Sequence, residues 1–239
     1  MTTDPVTSLD DPRALSVLST EHWSLLSARS LAYNEAFTRG GMFLSFLSMS
    51  FIALALLSDA MAFGDQFLSV AAVVLTFDLV IGLTTYGRIM GANLDDLRAV
   101  HGMARIRHAY TELAPITVPY FTSPTHDDVD SVTEVYGTGP DTTLGTIAYG
   151  LSTSGGMIGL ITAMVGGVLV CVISMIVGVS GGLVVWIGVA GFIVVFATIL
   201  LLTLGRISYH QAGIEAKFPK APPAVLTGDA DSPGRDAGG

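Results

Sequence analysis

One acidic side chain stands alone in a long apolar run: Asp78, eleven residues after Phe67 and ten before Arg88. At 1.5 Å of helix rise per residue it lies about 15 Å from either end of that run. A carboxyl in the middle of a hydrocarbon slab costs roughly 2.5–3.5 kcal/mol on insertion scales, and such residues mark ion or proton paths. No Lys or Arg falls within any of the apolar runs to neutralise it. Antiparallel symmetry about a turn near Phe63 puts Ser48 at the depth of Asp78, with Ser45 one turn away, and its own helix face carries Gly82 and Thr85. Two chemistries follow. Asp78, Ser48 and Thr85 form an ion or proton site, or a protonated Asp78 is capped by Ser48 or by backbone and is structurally quiet.

The remaining reactive residues form weaker patterns. His101 and His108 share a helix face with Arg98, Arg105 and Glu112. Seven residues separate the imidazoles by about 10 Å along the axis, too far to share a metal, so a solvated stripe is expected. Its Arg98 end is within reach of acidic headgroups. His126-Asp127-Asp128 with Asp130 offers imidazole and oxygen ligands of the kind divalent cations use. It lacks the spacing of a defined cation loop, and the expectation is an exposed acidic loop or a helix cap, with no metal. The single cysteine, Cys171, excludes an intramolecular disulfide and a cysteine metal cluster. No nucleophile elbow, phosphate loop, zinc helix or dinucleotide fingerprint occurs, so neither an enzyme nor a cofactor is expected.

The elements that position these residues are dictated by composition. Of 239 residues, 51% are hydrophobic and only 13% charged, against roughly 25% in an ordinary soluble domain. Four runs approach the ~20 apolar residues a bilayer-crossing helix needs: about Met42–Leu57, Phe67–Tyr86, Met157–Val179 and Leu183–Leu204. The first begins only near Gly41, later than a secretory signal would, and none is expected. The connections at 58–66 and 180–182 are too short to hold a domain. Every Lys and Arg lies outside these two connections, whose only charges are Asp59 and Asp65. The positive-inside rule then places both termini and the central loop in the cytoplasm and the chain in the plasma membrane. A net charge of −9 argues against a nucleic-acid partner.

The fold class predicted is all-α, with four transmembrane helices in two hairpins and the first hairpin extended into the cytoplasm by long helices. Trp23, Leu26, Tyr33 and Phe37 fall on one helical face, and Ala99, Met103, Ile106, Tyr110 and Leu113 on another, until Pro115 stops the second helix. Hairpin symmetry sets Trp23 level with Met103, Tyr33 near Leu94 and Phe37 level with Ile89. The expected units are a disordered tail over 1–18, a helical hairpin over 19–114, an irregular loop over 115–155, a second hairpin over 156–205 and a mostly disordered tail over 206–239. In the second hairpin, Gly159, Ala163, Gly167 and Cys171 make a ridge of small residues that lets helices approach closely in lipid. That ridge packs either the third helix on the fourth or one subunit on another.

The block Arg105-Ile106-Arg107-His108-Ala109-Tyr110, with Glu112-Leu113-Ala114-Pro115, Pro119-Tyr120-Phe121 and His126-Asp127-Asp128, resembles a family of four-span bacterial membrane proteins, common in actinobacteria. The likeness covers roughly residues 15–205 and implies architecture and location but no activity. Asp78 is not part of that pattern. Two functions fit the residues: an oligomeric ion or proton channel, with the lipid bilayer and further copies of the chain as partners, or a membrane-anchored scaffold, accessory or sensor protein acting through its cytoplasmic helices.

Overall fold

The computed structural model describes residues 8–136, 153–212 and 215–220, and its regular elements are all helices. Helix α1, Pro12–Met61, starts on Asp11, whose side chain accepts from the Arg13 N–H at 2.9 Å, with Pro12 at the first helical position. Capping residue and proline are both native N-terminal signals. The helix therefore begins within the stretch expected to be tail. It passes through Gly40-Gly41 without a break, Gly40 being buried beside Ile158 and Ile89.

A tight turn at Ala62 and Phe63, both with positive φ (49° and 55°), leads into α2, Asp65–Leu113. Phe63 packs edge-on against Phe67 at 5.1 Å. Ala114-Pro115 ends α2, because a proline ring disfavours helical backbone before it. A 3-10 turn, Pro115–Tyr120, and a short helix α3, Val129–Glu134, follow. Helix α4, Ser154–Ile176, is capped by Thr153, and α5 runs Leu183–Ala212. The 115–155 stretch thus contains helical turns where an irregular loop was expected, its residues 137–152 lying outside the described residues.

Four helices are long and apolar enough to cross a membrane, with mean hydropathy of 2.0 to 2.7 over their most apolar stretches. Their apolar side chains face outward: only 11% of the most apolar stretch of α5 is buried. At 50 and 49 residues, α1 and α2 have about 75 Å of rise each, more than twice a hydrocarbon core. Their more polar parts, 12–40 and 88–113, form a paired stalk.

The helices pack in the order α1, α2, α4, α5. One seam joins α1 to α2 over their whole length. On α1 it carries His22, Leu25, Arg29, Ala32, Ala36, Gly40, Phe43, Leu47 and Ser50, in steps of three or four residues. On α2 steps of three, four and seven residues carry Leu68, Ala71, Leu75, Asp78, Gly82, Ile89, Asp96, Val100, Met103, Arg107 and Tyr110. This is the period of two helices packed side by side. The expected stalk face is corrected: Trp23, Leu26 and Phe37 are exposed, and Met103 packs with Leu25, Val100 and Val132 instead of Trp23. Hairpin symmetry gives height along a helix but not azimuth. The heights are right, since a Cβ on Gly102 would sit 2.8 Å from Leu25.

Glycines set the approach of the other helices. A Cβ on Gly82 would lie 2.6 Å from Thr162 Oγ1, so α4 is pressed onto α2 there. Gly159 sits against Tyr86 of α2 and Ile199 of α5, and Ala163 has no exposed surface. Gly167 meets the Gly188 carbonyl and Phe192 of α5. The ridge is occupied within the chain.

Candidate functional site

Three charged residues of α2 occupy the seam, at Asp78, Asp96 and Arg107, and the structure treats each differently. Asp78 has no exposed surface and accepts one hydrogen bond, from Ser50 Oγ at 2.9 Å. Its second oxygen, Oδ2, has no partner among the described residues. Ser48 is corrected as its partner. Ser48 is exposed and donates to the Leu44 carbonyl at 2.8 Å, because two residues along a helix turn the side chain by about 200°. Thr85 is half-buried and does not reach the carboxyl, whose one partner is Ser50. The expected trio of Asp78, Ser48 and Thr85 is therefore not assembled.

Asp96, 3% exposed, is the best-satisfied carboxylate of the seam. Arg29 grips it with two N–H groups, Nε to Oδ1 at 2.5 Å and Nη2 to Oδ2 at 3.3 Å. The hydroxyls of Tyr33 and Tyr136 donate to Oδ2 at 3.2 and 2.7 Å. Burial works against the Arg29 charge, but the bonds to Asp96 outweigh it and hold the guanidinium above its ordinary pKa. Burial, then the Asp96 carboxylate, raises the Tyr136 phenol and keeps it a donor. Tyr136 follows directly on α3, so three chain segments meet at one carboxylate.

Arg107 lies eleven residues further along the seam. It is half-buried, and it has no hydrogen bond or ion pair among the described residues. Burial, with the nearby Arg29 charge, lowers its pKa.

A second carboxylate cluster lies beside the seam. Asp127, 1% exposed, accepts from Arg105 Nε at 2.6 Å and from the backbone N–H groups of Phe218 and Lys217 at 2.7 and 3.0 Å. Its own backbone N–H donates to the Phe218 carbonyl. Burial alone would raise its pKa, but the Lys217 amide, the Arg105 guanidinium and the Phe218 amide together hold it below the usual carboxylate range. Arg105 also donates to the Glu215 carbonyl, and Lys220 N–H to Asp128. Phe218 stacks on His108 with ring centroids 4.3 Å apart. Segment 215–220 is thereby clamped to α2; residues 221–239, where the disorder of the tail was expected, lie outside the described residues.

This clamp corrects two expectations. His101 is 5% exposed, not solvated: its Nδ1 is 3.1 Å from the Asp127 carbonyl oxygen, and burial lowers its pKa. Asp127 is enclosed rather than in an exposed acidic loop, because residues 90 positions later in the chain cover it. Asp128 is a helix cap, accepting from Ser131 N–H at 3.1 Å at the start of α3. Among the described residues no three His, Cys, Asp or Glu side chains converge as metal ligands.

Sequence reasoning singled out Asp78 and passed over Ser50, Asp96, Arg107 and the 215–220 clamp. The signal for Asp96 and Arg107 was present in the recurring steps from Leu68 to Tyr110, which place both inside with Asp78, and that for Ser50 in the matching steps of α1. For the clamp no local signal exists, since its halves are far apart in sequence. Comparison with family models, with curated proteins and with solved structures gave no match, so a functional reading rests on this geometry.

Proposed function

We propose that this protein is a membrane-anchored scaffold or sensor, with four spans in two hairpins and a stalk that acts in the cytoplasm. The observation that carries the reading is the burial of Asp78. A subunit of an ion-conducting oligomer needs its intramembrane carboxyl on a surface that faces a lumen. Asp78 has no exposed surface and is capped by Ser50 inside the hairpin. The multiply bonded carboxylates, Asp96 and Asp127, both belong to the stalk and its clamp, where they tie α1, α2, the segment around α3 and segment 215–220 together. Such satisfied polar networks fix one arrangement of the segments they join. The cytoplasmic orientation is supported by Arg29, Arg88, Arg98, Arg105 and Arg107 on the stalk, against Asp59 and Asp65 alone at the far turn.

The test is a proton- and cation-flux assay in proteoliposomes, run beside a mass measurement in detergent. No flux above protein-free vesicles is expected, and Asp78→Asn should match the parent. Flux that Asp78→Asn abolishes would overturn the scaffold reading and restore the channel. Orientation is tested separately with an impermeant thiol reagent in a Cys171→Ala background: a cysteine at Ala62 should label from outside, and one at Asp130 only after lysis.

A further inference from the structure

We propose that the membrane-distal end of the α1–α2 seam is a binding site for a small solute bearing an oxyanion, a phosphate or a carboxylate, held by Arg107 with His22 and Tyr110. All three are seam positions, where a packed helix pair ordinarily buries apolar side chains. Three observations point to an anion. Arg107 presents five N–H donors from a half-buried position with no acceptor among the described residues. His22 Nδ1 is buried and has no partner among the described residues. The His22 and Tyr110 rings are 6.1 Å apart, so a second donor and a phenol face the same layer.

The electrostatics agree with this geometry. The charge of Arg107 reaches His22, and that of Arg29 reaches Arg107, while Arg29 has its own carboxylate in Asp96. A positive layer with no acid of its own among the described residues is the converse of the Asp96 layer three turns away. Half-burial of the guanidinium without a counter-charge disfavours its charged form, and a bound anion offsets that cost. Guanidinium geometry matches phosphate and carboxylate oxygens two at a time, which ammonium does not.

The ligand is a solute rather than a lipid headgroup. Arg107 lies nineteen residues beyond Arg88, the first charge after the apolar part of α2. That is about 28 Å along the helix. The headgroup layer extends only some 5–8 Å beyond the hydrocarbon. This inference uses the cytoplasmic-stalk reading only to bring the ligand from water, and the site can be tested in detergent whichever side the stalk occupies.

The experiment is calorimetric titration of inorganic phosphate into the full chain, in detergent and in nanodiscs of neutral lipid. Saturable binding is expected for the parent. Arg107→Gln should weaken it at least tenfold, Arg107→Lys should fall between, and Arg39→Gln, an exposed residue paired with Glu35, should leave it unchanged. If Arg107→Gln does not fold, Arg107→Lys and His22→Asn carry the test, each expected to bind several-fold more weakly. A parent that binds no phosphate, or Arg107 variants that bind as the parent does, would overturn the site. Loss of phosphate binding when anionic lipid replaces neutral lipid would assign the site to a headgroup and overturn the solute.

Discussion

Asp78 and Asp96 lie on one seam of one helix, eighteen residues apart, and they are housed in opposite ways. In the apolar half the carboxyl keeps a single hydrogen bond to Ser50 and meets no basic side chain. In the stalk it collects an arginine and two tyrosines. Burial is nearly the same, 0% against 3% exposed, so burial alone does not decide the housing. The difference is what the neighbouring elements can supply. An apolar helix offers Ser or Thr as its polar groups, whereas the stalk can spare Arg29 on α1 and Tyr136 beyond α3. The lesson is that a charge tolerated in the apolar half of the seam is single-bonded, and one in the stalk becomes a joint between segments.

That contrast can be broken most sharply at the joint. Asp96→Ala leaves a half-buried Arg29 and the Tyr136 hydroxyl without their acceptor, and losing one partner of a fully buried ion pair costs about 3–5 kcal/mol, an upper bound here because Arg29 keeps 22% of its side chain exposed. Thermal unfolding in detergent should show the largest loss of any single seam substitution. Replacing both Arg29 and Asp96 by Leu should recover most of it, and a double variant as unstable as Asp96→Ala would refute the ion-pair account.

Steric pressure comes next. Gly82→Ala puts a methyl where Thr162 Oγ1 stands, and Thr162 has no exposed surface into which it can retreat. Overpacking of this kind costs roughly 1–3 kcal/mol. The same melting curve should show it, together with reduced cross-linking between cysteines placed on α2 and α4.

Smaller still is the effect at Asp78 itself. Asp78→Asn keeps an acceptor for Ser50, and Ser50→Ala removes one hydrogen bond, worth about 1 kcal/mol. A loss in Ser50→Ala as large as in Asp96→Ala would show that the two carboxylates are housed alike and erase the comparison.

The mildest perturbation is pH, acting on Asp127. Its folded pKa lies below that of an unfolded aspartate, about 3.9. Such a group contributes stability that is present above the unfolded value and is lost as pH falls through the folded one. Protection of the Lys217 and Phe218 amides, taken relative to their intrinsic exchange rates at each pH, should therefore be high at neutral pH and fall below about pH 4, where the unfolded carboxyl begins to protonate. Undiminished protection at pH 2 would mean that Phe218 stacked on His108 holds the segment without the carboxylate.

Helix type and extent were largely legible from residues. Long apolar runs, the absence of interior proline and the stop at Pro115 define α2 closely, and four helices long and apolar enough to cross a membrane are present. The start of α1 was missed because Asp11-Pro12 is a short signal standing before an otherwise polar stretch. Site residues were less legible for a geometrical reason. Reflecting one helix on the other about Phe63 found the level of Asp78 but chose Ser48, and the residue two positions on is the one that points inward. The same error turned Trp23 outward, to 64% exposed. His101 and Asp127 were misread because what buries them lies beyond the end of α5, and no local pattern announces a contact across 90 residues.

That last contact also orders events during synthesis. Asp127 emerges from the ribosome long before Lys217 and Phe218 exist, and 90 residues at 5–20 per second is roughly 5–18 s. Throughout that interval the nascent stalk carries an aspartate, Arg105 and His101 without their final cover. The clamp closes only after α4 and α5 have been made, so a protected Phe218 amide reports a chain made past α5, and a chain interrupted before it is left with an open patch at Asp127.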